Sequence, residues 1–353
     1  MKIKDNVISF SSADNSFLKK FGFKEATDMV MNFRSFNELP FIYDTYQLSE
    51  FIDIPRSKMF SMIKTDCRDE YRTINIKKKN GQSRTLNVPS YILKYVQKRI
   101  LLEIATKLPV SKYATAYKTG AKLEYNALPH TNKKYILKMD ITNFFGSICF
   151  EQIYSAAFNT RYFPKHIGVM LTTLCCYNDV LPQGAPTSPA LSNLVLKNFD
   201  ENIGKWCEKR GISYTRYCDD MTFSSNKNLY NVYAKVKDML QNIGFEINER
   251  KTRFITKNAR QTVTGLTVNE KVSISKDYKR DLRKELYYIF KFGPENSLLY
   301  TGKGEYIKDG QLNVLKYLNI LEGKLNFLLS IEKNNLYFKE ALVKIKNLKP
   351  KYI

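Results

Sequence analysis

The spacing of apolar and polar residues along the chain predicts alternating helical and extended segments. In residues 1–70, apolar side chains recur at intervals of three to four positions between breaks at Pro40 and Pro55, which predicts mainly helix. The pattern then alternates on both sides of Asn80-Gly81, which predicts a β-hairpin. Residues 91–108 return to helical spacing, with basic side chains between the apolar ones, as expected of a helix between a core and a polyanion.

Two extended segments in the middle of the chain carry acidic residues. Residues 135–141 are apolar, aromatic or β-branched enough for a central strand, yet they include Asp140 near the C-terminal end. Residues 212–217 and 221–225 alternate like the two strands of a tight hairpin, with Asp219 and Asp220 at the connection. A charge in a central strand is costly unless it is paired or bound to a metal. The pattern therefore indicates that Asp140 is paired with another group or bound to a metal.

A long helix is predicted between the two acidic segments. Ser188 is suited to cap this helix and Pro189 to open it, after the loop sequence LPQGAPTSP. Apolar residues then follow three- to four-residue spacing as far as Gly211. The predicted order is strand with an acid, helix, Gly/Pro-containing loop, long helix and acidic hairpin.

Composition narrows the class of partner. The 353 residues suffice for a substantial core, in one large unit or in two to three subdomains. The formal net charge of +23 favours a polyanionic partner, either nucleic acid or an anionic membrane surface. No apolar run reaches about 18 residues and the N-terminus lacks the apolar core of a signal peptide, so we expect a soluble, unprocessed intracellular protein.

The cysteine and histidine pattern argues against a zinc site. The six cysteines show no C-x-x-C pairing, and His130 and His166 are the only imidazoles in the sequence. We therefore expect reduced thiols that mostly fill the core.

Three carboxylates form the candidate chemical centre. Asp is a common turn residue, so the adjacent Asp219 and Asp220 are compatible with turn chemistry alone. The alternative is that a divalent cation offsets their repulsion, since Mg²⁺ takes one or two carboxylates together with substrate phosphates. With Asp140 as a third acid, the set is suited to two Mg²⁺ ions, one activating a 3′-hydroxyl and one stabilising a triphosphate and its leaving pyrophosphate.

These residues resemble a known family. YCDD at the hairpin matches the Y-x-D-D box of reverse transcriptases, LPQGAPTSP matches their Pro-Gln-Gly loop, and MDITNFF matches their first catalytic-acid segment. Order and spacing agree over about residues 70–270. Within that family the chain resembles the bacterial retron group, because NALPH at 126–130 matches its N-A-x-x-H element and VTG at 263–265 matches its signature after the palm.

The resemblance implies an α+β, right-hand polymerase fold with fingers, an antiparallel palm sheet backed by helices, and a helical thumb. It divides the chain into an N-terminal helical extension and fingers at 1–70, fingers with the retron element at 71–134, a palm at 135–272 and an RNA-binding thumb at 273–353. The last segment is helical by pattern and rich in Lys, Tyr and Phe. This composition fits a plain helical bundle, an RNA-binding surface, or both.

The resemblance also implies a role for each matching residue. Asp140, Asp219 and Asp220 would bind two Mg²⁺ ions and catalyse addition of deoxynucleoside triphosphates. Lys251 would act as the general acid for pyrophosphate. The alternative is that it is an ordinary surface residue at a turn. The remaining residues would form the nucleotide site: Lys77 and Arg84 at the triphosphate, Gln183 along the nucleotide, and Phe145 beneath the sugar.

The assignments of the basic cluster and of Phe145 have plainer alternatives. The basic cluster of Lys77, Lys78, Lys79 and Arg84 is also typical of a solvated edge hairpin that resists aggregation. A bulky ring at Phe145 would leave little room for a 2′-hydroxyl and so favour deoxynucleotides, or the ring would only pack.

The retron motifs are expected to concern RNA or local structure. For His130 we favour a structural role or an RNA contact over chemistry, since a lone His is more often a satisfied structural residue. The other motif residues would shape the RNA site or form local turns: Asn126, Ala127, Val263, Thr264 and Gly265.

The resemblance further implies a biological setting. The template would be a cognate structured noncoding RNA, priming would start at an internal guanosine 2′-hydroxyl, and the product would be branched RNA–DNA used in anti-phage defence. A retron effector protein would be a further partner, in the bacterial cytoplasm and away from membranes. Two alternatives stay open: an intron-type or diversity-generating reverse transcriptase, and an RNA-binding scaffold that restrains a toxic partner.

Overall fold

The computed structural model describes residues 2–4, 7–9, 39–77, 81, 83–301, 306–308 and 311–352. Most of the helix predicted before residue 39, together with Lys78 and Lys79 of the basic cluster, lies outside these described residues. Lys2–Lys4 and Val7–Ser9 pair as antiparallel strands, where helix was predicted. The reason is visible in the sequence, because Lys-Ile-Lys alternates with the period of a strand.

The described part of the chain contains twelve strands, many of them short. They are β1 Lys2–Lys4, β2 Val7–Ser9, β3 Tyr71–Lys77, β4 Ser83–Pro89, β5 Tyr135–Asp140, β6 Ser213–Tyr217, β7 Asp220–Ser225, β8 Arg253–Thr256, β9 Thr262–Val263, β10 Leu266–Thr267, β11 Ile307–Lys308 and β12 Gln311–Leu312.

Helices account for most of the other described residues. They are α1 Thr45–Ile52, α2 Arg56–Lys64, α3 Tyr91–Ile100, α4 Leu123–Ala127, α5 Phe150–Ile153, α6 Lys165–Cys175, α7 Ser188–Val195, α8 Lys197–Glu208, α9 Tyr230–Gln241, α10 Lys276–Phe292, α11 Pro294–Thr301, α12 Val314–Ile331 and α13 Leu336–Leu348. None of these described helices is both long and apolar enough to cross a membrane.

The chain divides into two compact units, each with its own apolar core. The first unit consists of residues 1–122, 137–223 and 228–254. The second consists of residues 123–136, 224–227 and 255–353. Residues 123–134, predicted as the end of the fingers, thus share a unit with the C-terminal helices. The predicted domain limits themselves stay a prediction.

A four-stranded sheet contains both acidic segments. Its strand order is β6-β7-β5-β8, so β5 with Asp140 is an inner strand beside β7, which begins at Asp220. The predictions of a central strand at 135–141 and of a hairpin at 212–225 are confirmed. A second predicted hairpin is confirmed as β3 and β4, which pair antiparallel from Tyr71 opposite Pro89 to Lys77 opposite Ser83.

The long helix predicted after the Gly/Pro-containing loop is in fact two helices. Helix α7 ends at Val195 and α8 begins at Lys197, because Leu196 between them has φ −84° and ψ 3°. Apolar spacing continues across this break, which is why the sequence pattern does not reveal it. The N-cap is Thr187 rather than Ser188, whose hydroxyl donates to the carbonyl of Pro182 at 2.8 Å.

An ion pair lies wholly inside the first unit. Arg216 on β6 and Asp200 on α8 are both 0% exposed, and the guanidinium Nη2 donates to the carboxylate at 2.6 Å. Nε of Arg216 donates to the same carboxylate at 2.9 Å, and the hydroxyl of Tyr214 adds a bond of 2.7 Å. Nη1 donates to the carbonyl of Cys218 at 2.9 Å. The pair therefore joins α8, β6 and the acidic turn through one set of bonds.

The second unit brings the two retron motifs together. Asn126 on α4 is buried, and its amide donates to the hydroxyl of Thr264 at 3.4 Å. Thr264 and Gly265 form the two-residue turn between β9 and β10, with φ of 46° and 84°, a hairpin connection that glycine accommodates well. Ala127 and Val263 are fully buried in the same apolar core. The motifs thus form one structural element.

His130 is part of the interior of the second unit. It is fully buried, and its Nδ1 lies 2.7 Å from the hydroxyl of Ser224. Burial, followed by the nearby charge of Lys133, lowers the pKa of His130 to about 3. This environment favours the structural interpretation of His130.

Removing one member of the buried ion pair should destabilise the protein strongly. Arg216→Met leaves the Asp200 carboxylate buried without its counter-ion, which typically costs about 3–5 kcal/mol of unfolding free energy. Urea unfolding followed by circular dichroism measures this loss. Glu208→Gln is the control, because its ion pair with Lys112 is exposed to solvent and should matter little. Equal midpoints for the two variants would contradict the importance of the buried pair.

Burial of neutral His130 should make the protein acid-sensitive. The folded pKa of about 3 lies below the value of about 6.5 expected for an unfolded chain, so the unfolded state binds the proton first and stability falls as pH drops through this window. Between about pH 7 and pH 5 the loss from this group is about 2 kcal/mol. His130→Asn should flatten the pH dependence of urea unfolding by that amount, whereas His166→Asn, an exposed control, should not. Identical pH profiles for all three proteins would refute this assignment.

Candidate active site

The acidic hairpin is the central element of the site. Strand β6 ends at Tyr217 and β7 begins at Asp220, so Cys218 and Asp219 form the turn. Cys218 has φ 62°, in the left-handed region that a non-glycine residue enters only when its surroundings hold it there. The bond from Arg216 to the carbonyl of Cys218 is one such restraint. The two carboxylates are thus held at a fixed turn.

Asp140 lies next to this turn. The amide of Ile141, directly after Asp140, donates to the carbonyl of Asp219 at 3.2 Å. On the other side, the amide of Asn248 donates to the carbonyl of Asp140 at 2.8 Å. The structure therefore brings together the three acids that the sequence predicts to act together.

The acids share an electrostatic environment that favours cations. Although Asp220 is an exposed residue, partial desolvation of its carboxyl raises its pKa, and the neighbouring charges of Asp219 and Asp140 raise it further. The ammonium groups of Lys138 and Lys251 act in the opposite direction. The carboxylates thus repel one another, and a bound cation would relieve that repulsion.

Lys251 already places one positive charge at the acids. Its Nζ donates to both carboxylate oxygens of Asp140, at 2.9 and 2.8 Å. The Asp140 side chain is 8% exposed, whereas that of Lys251 is 61% exposed. The hydrogen bond to Asp140 raises the pKa of Lys251, as do the charges of Asp219 and Asp220. Lys251 is therefore protonated at neutral pH and belongs to the acidic cluster.

The donor set fits Mg²⁺ with substrate as a co-ligand. Among the described residues, no three or more His, Cys, Asp or Glu side chains lie close enough together to hold a metal ion by themselves. The carboxylate oxygens of Asp140 and of the adjacent Asp219 and Asp220 are nonetheless the ligand type that Mg²⁺ prefers, and Mg²⁺ commonly takes few protein ligands and completes its shell with phosphates and water. The ammonium of Lys251 on Asp140 shows that a cation is accommodated there.

The loop predicted to line the nucleotide site packs against the basic hairpin. The amide of Asn87 on β4 donates to the carbonyl of Gln183 at 2.8 Å. Gly184 has φ 134°, and a Cβ there would lie 2.7 Å from the carbonyl oxygen of Asn87. This close approach requires glycine, so the Pro-Gln-Gly sequence fixes where Gln183 lies along β4.

The basic residues predicted at the triphosphate lie on that hairpin. Lys77 ends β3, and Arg84 on β4 is opposite Ile76. Both side chains are exposed. The hairpin therefore presents both charges to solvent, and their assignment to the triphosphate stays a prediction.

Phe145 lies in the turn that follows β5. It begins a short 3₁₀ turn at Phe145–Ser147, and its ring centroid is 5.3 Å from that of Phe144. Phe144 is buried and contacts Phe245 at 6.3 Å between ring centroids. Phe145 itself is half-buried, so the core supports the ring from one side.

Sequence reasoning did not identify the residues that hold the acidic turn. Arg216 appears in the sequence as one polar residue in the alternation of β6, and Asp200 as one acid on a helix. Tyr117 was also missed: it has φ 54°, and its ring lies 6.2 Å from that of Tyr217. The available signal for Arg216 is that it is the one charged residue of β6, two positions before the acidic turn begins at Cys218.

Comparison with known proteins shows the family of this chain. The family described as reverse transcriptase (RNA-dependent DNA polymerase) matches residues 76–275, more than half of the chain. The retron Ec86 reverse transcriptase of Escherichia coli is 34% identical over 227 residues, covering 62% of this chain and 70% of that protein. The retron Mx65 reverse transcriptase of Myxococcus xanthus is 33% identical over 238 residues, covering 62% of this chain and 55% of that protein.

A third relative is covered over most of its length. The retron Ec83 reverse transcriptase of Escherichia coli is 30% identical over 287 residues, which span 77% of this chain and 86% of that protein. The predicted right-hand polymerase fold, with mixed helices and sheets, is confirmed. The chain is an RNA-directed DNA polymerase and belongs to the retron reverse transcriptases.

Proposed function

We propose that this enzyme copies a cognate structured noncoding RNA into DNA, starting from an internal guanosine 2′-hydroxyl and yielding branched multicopy single-stranded RNA–DNA. The observation that carries the proposal is the meeting of Asp140 with Asp219 and Asp220 at one turn. Two observations support a retron-type reaction. The NALPH and VTG elements are in contact through Asn126 and Thr264, and the relatives are named retron reverse transcriptases.

Asp140, Asp219 and Asp220 would hold two Mg²⁺ ions, which when bound activate the attacking hydroxyl and neutralise charge on the triphosphate. The bond from Arg216 to the carbonyl of Cys218 restrains the backbone turn that carries Asp219 and Asp220 before substrate arrives. Preorganised charges of this kind need little rearrangement during the reaction. The turn geometry therefore contributes directly to catalysis.

The remaining residues orient the nucleotide. Lys77 and Arg84 bind the triphosphate from the basic hairpin, Gln183 lines the nucleotide, and Phe145 supports the sugar. Lys251 carries its proton at Nζ at neutral pH and supplies it to the departing pyrophosphate. To do so, the ammonium must exchange its bond with Asp140 for one with the phosphate.

The proposed partners are the template RNA, the DNA product and a retron effector protein whose activity the RNA–DNA product controls in anti-phage defence. The net charge of +23 supports binding of nucleic acid. The noncoding RNA and the effector are expected to be encoded beside this gene.

Asp219→Asn should abolish DNA synthesis while leaving RNA binding intact, because it removes metal-binding charge at a turn and no core packing. We expect a loss of about a hundredfold or more in incorporation rate. The assay uses Mg²⁺, deoxynucleotides and two templates: a generic primed RNA and the noncoding RNA encoded beside the gene. Wild type should extend both, and the product on the second should stay linked to RNA through a 2′–5′ bond that debranching enzyme cleaves.

Asp238→Asn is the matched control, since Asp238 is an exposed acid on α9 away from the acidic turn in sequence. Near-normal incorporation by Asp219→Asn would refute the metal assignment. Extension of the generic template with no branched product on the noncoding RNA would refute the retron-type reaction and leave reverse transcription intact.

Phe145→Ala should relax discrimination against ribonucleotides, because a smaller side chain opens space beside the sugar C2′. We expect the ratio of deoxynucleotide to ribonucleotide incorporation to fall by about tenfold. Single-nucleotide extension with each nucleotide measures the ratio, and Phe150→Ala, a half-buried ring in α5, controls for general loosening of the unit. An unchanged ratio in a Phe145→Ala enzyme that still polymerises would show that Phe145 only packs.

A further inference from the structure

Three aromatic rings form a stack on the second unit. Tyr288 is the middle ring, with its centroid 6.1 Å from Phe292 at 26° and 5.7 Å from Tyr300 at 29°. Tyr288 is half-buried, whereas Phe292 is 48% and Tyr300 79% exposed. The stack is therefore anchored at its centre and open to solvent at both ends.

The local sequence explains how the stack forms. Tyr288 and Phe292 are four residues apart on α10, so they lie on the same face of the helix. Gly293 ends α10 with φ 82°, and α11 begins immediately at Pro294. This sharp turn, which favours glycine, directs the chain so that Tyr300 in α11 reaches Tyr288.

A lysine lies among the rings. Nζ of Lys291 is 5.3 Å from the ring centroid of Tyr287 and 5.1 Å from that of Phe292. It also donates to the hydroxyl of Tyr287 at 2.9 Å. Tyr287 is itself exposed, so the surface combines open aromatic faces with a positive charge.

A second lysine extends the same chemistry. Nζ of Lys344 on α13 lies 5.4 Å from the ring centroid of Phe290, another exposed aromatic residue of α10. Glu295 is the acidic residue next along the chain, in the first turn of α11. Two ammonium groups, Lys291 on α10 and Lys344 on α13, thus lie against aromatic rings of the C-terminal half of α10.

We propose that the aromatic platform, defined as Tyr287, Tyr288, Lys291, Phe292 and Tyr300, binds unpaired nucleotides of the RNA partner. A base would stack on the open face of Tyr300 and continue the existing stack, while Lys291 contacts a phosphate. Single-stranded nucleic acid is the class of ligand that presents flat π faces and phosphates at once.

The chemistry of the surface favours RNA over a protein partner. Protein interfaces are enriched in aromatic residues but depleted in lysine, whereas single-strand binding sites combine aromatic platforms with basic residues. Away from its two ends, a paired duplex hides its base faces within its own stack, so its interior offers Tyr300 nothing to stack on. The platform would therefore recognise loops, bulges or single-stranded ends.

This inference rests on the proposed function in taking RNA as the partner, and it adds which part of a structured RNA the second unit recognises. A folded RNA with unpaired bases at the right place would gain stacking energy that an unrelated duplex cannot. The free energy of base stacking does not fall with rising ionic strength in the way that the free energy of phosphate contacts does.

The test compares two fluorescein-labelled probes, a single-stranded oligoadenylate and a blunt RNA duplex of equal length, by fluorescence anisotropy on the full chain. Tyr300→Ala should weaken oligoadenylate binding by about tenfold and leave duplex binding nearly unchanged. Tyr300→Phe should bind like wild type, because it keeps the ring. Lys291→Gln should weaken both probes and lower the salt slope by about one phosphate contact.

Tyr91→Ala is the matched control, because Tyr91 is an 87% exposed tyrosine in the first unit. Tyr300→Leu, which keeps an apolar side chain without the ring, provides the same comparison if the alanine variant loses helical content. Equal losses on both probes, unchanged binding of oligoadenylate, or the same loss in Tyr91→Ala would overturn the platform. Changed self-association with unchanged RNA binding would also overturn it, in favour of a protein partner.

The two proposals fail by different measurements. Absence of branched product with the wild-type enzyme would overturn the proposed function and leave the probe-binding result standing. Conversely, normal branched synthesis together with unchanged oligoadenylate binding by Tyr300→Leu would overturn only the platform.

Discussion

A guanidinium and a carboxylate withdrawn from water hold the acidic turn in place. Desolvation of two charges is costly, and their attraction offsets that cost only when the remaining donors and acceptors are also satisfied. Arg216 meets this condition with bonds to Asp200 and to the carbonyl of Cys218. Its backbone also pairs with the neighbouring segment, since its amide donates to Tyr113 and its carbonyl accepts from Thr115, each at 2.8 Å. A single residue therefore connects core packing to the position of the acids.

The acidic turn is a local exception in a strongly basic protein. With a net charge of +23, the surface attracts nucleic acid, yet the reacting centre must gather carboxylates. The ammonium of Lys251 forms an ion pair with Asp140 and so offsets part of the negative charge gathered at this turn. A metal ion bound at these acids would therefore meet a carboxylate whose charge Lys251 already offsets.

Much of the site could be predicted from sequence because it depends on local pattern. Strand periodicity located Asp140 and the hairpin with Asp219 and Asp220, and the turn residues Asn80-Gly81 located the β3–β4 hairpin. Contacts between distant segments could not be predicted this way. Asn126 and Thr264 are 138 positions apart, and nothing in either motif alone indicates that they touch. The break at Leu196 was missed for a related reason, since apolar spacing reports which face is buried and not whether the axis continues.

The second unit is assembled from separate sequence segments, and this determines where the protein can be truncated or recombined with a relative. Residues 123–136 contribute Ala127 and Ile136 to the apolar core that the C-terminal helices complete. Truncation after the sheet would therefore leave an apolar strip in the middle of the remaining chain without its cover, and such strips promote aggregation. A chimera that takes its second unit from a relative must transplant all three of its sequence segments together. The C-terminal helices are consequently one part of a split module, and another part is encoded ahead of Asp140.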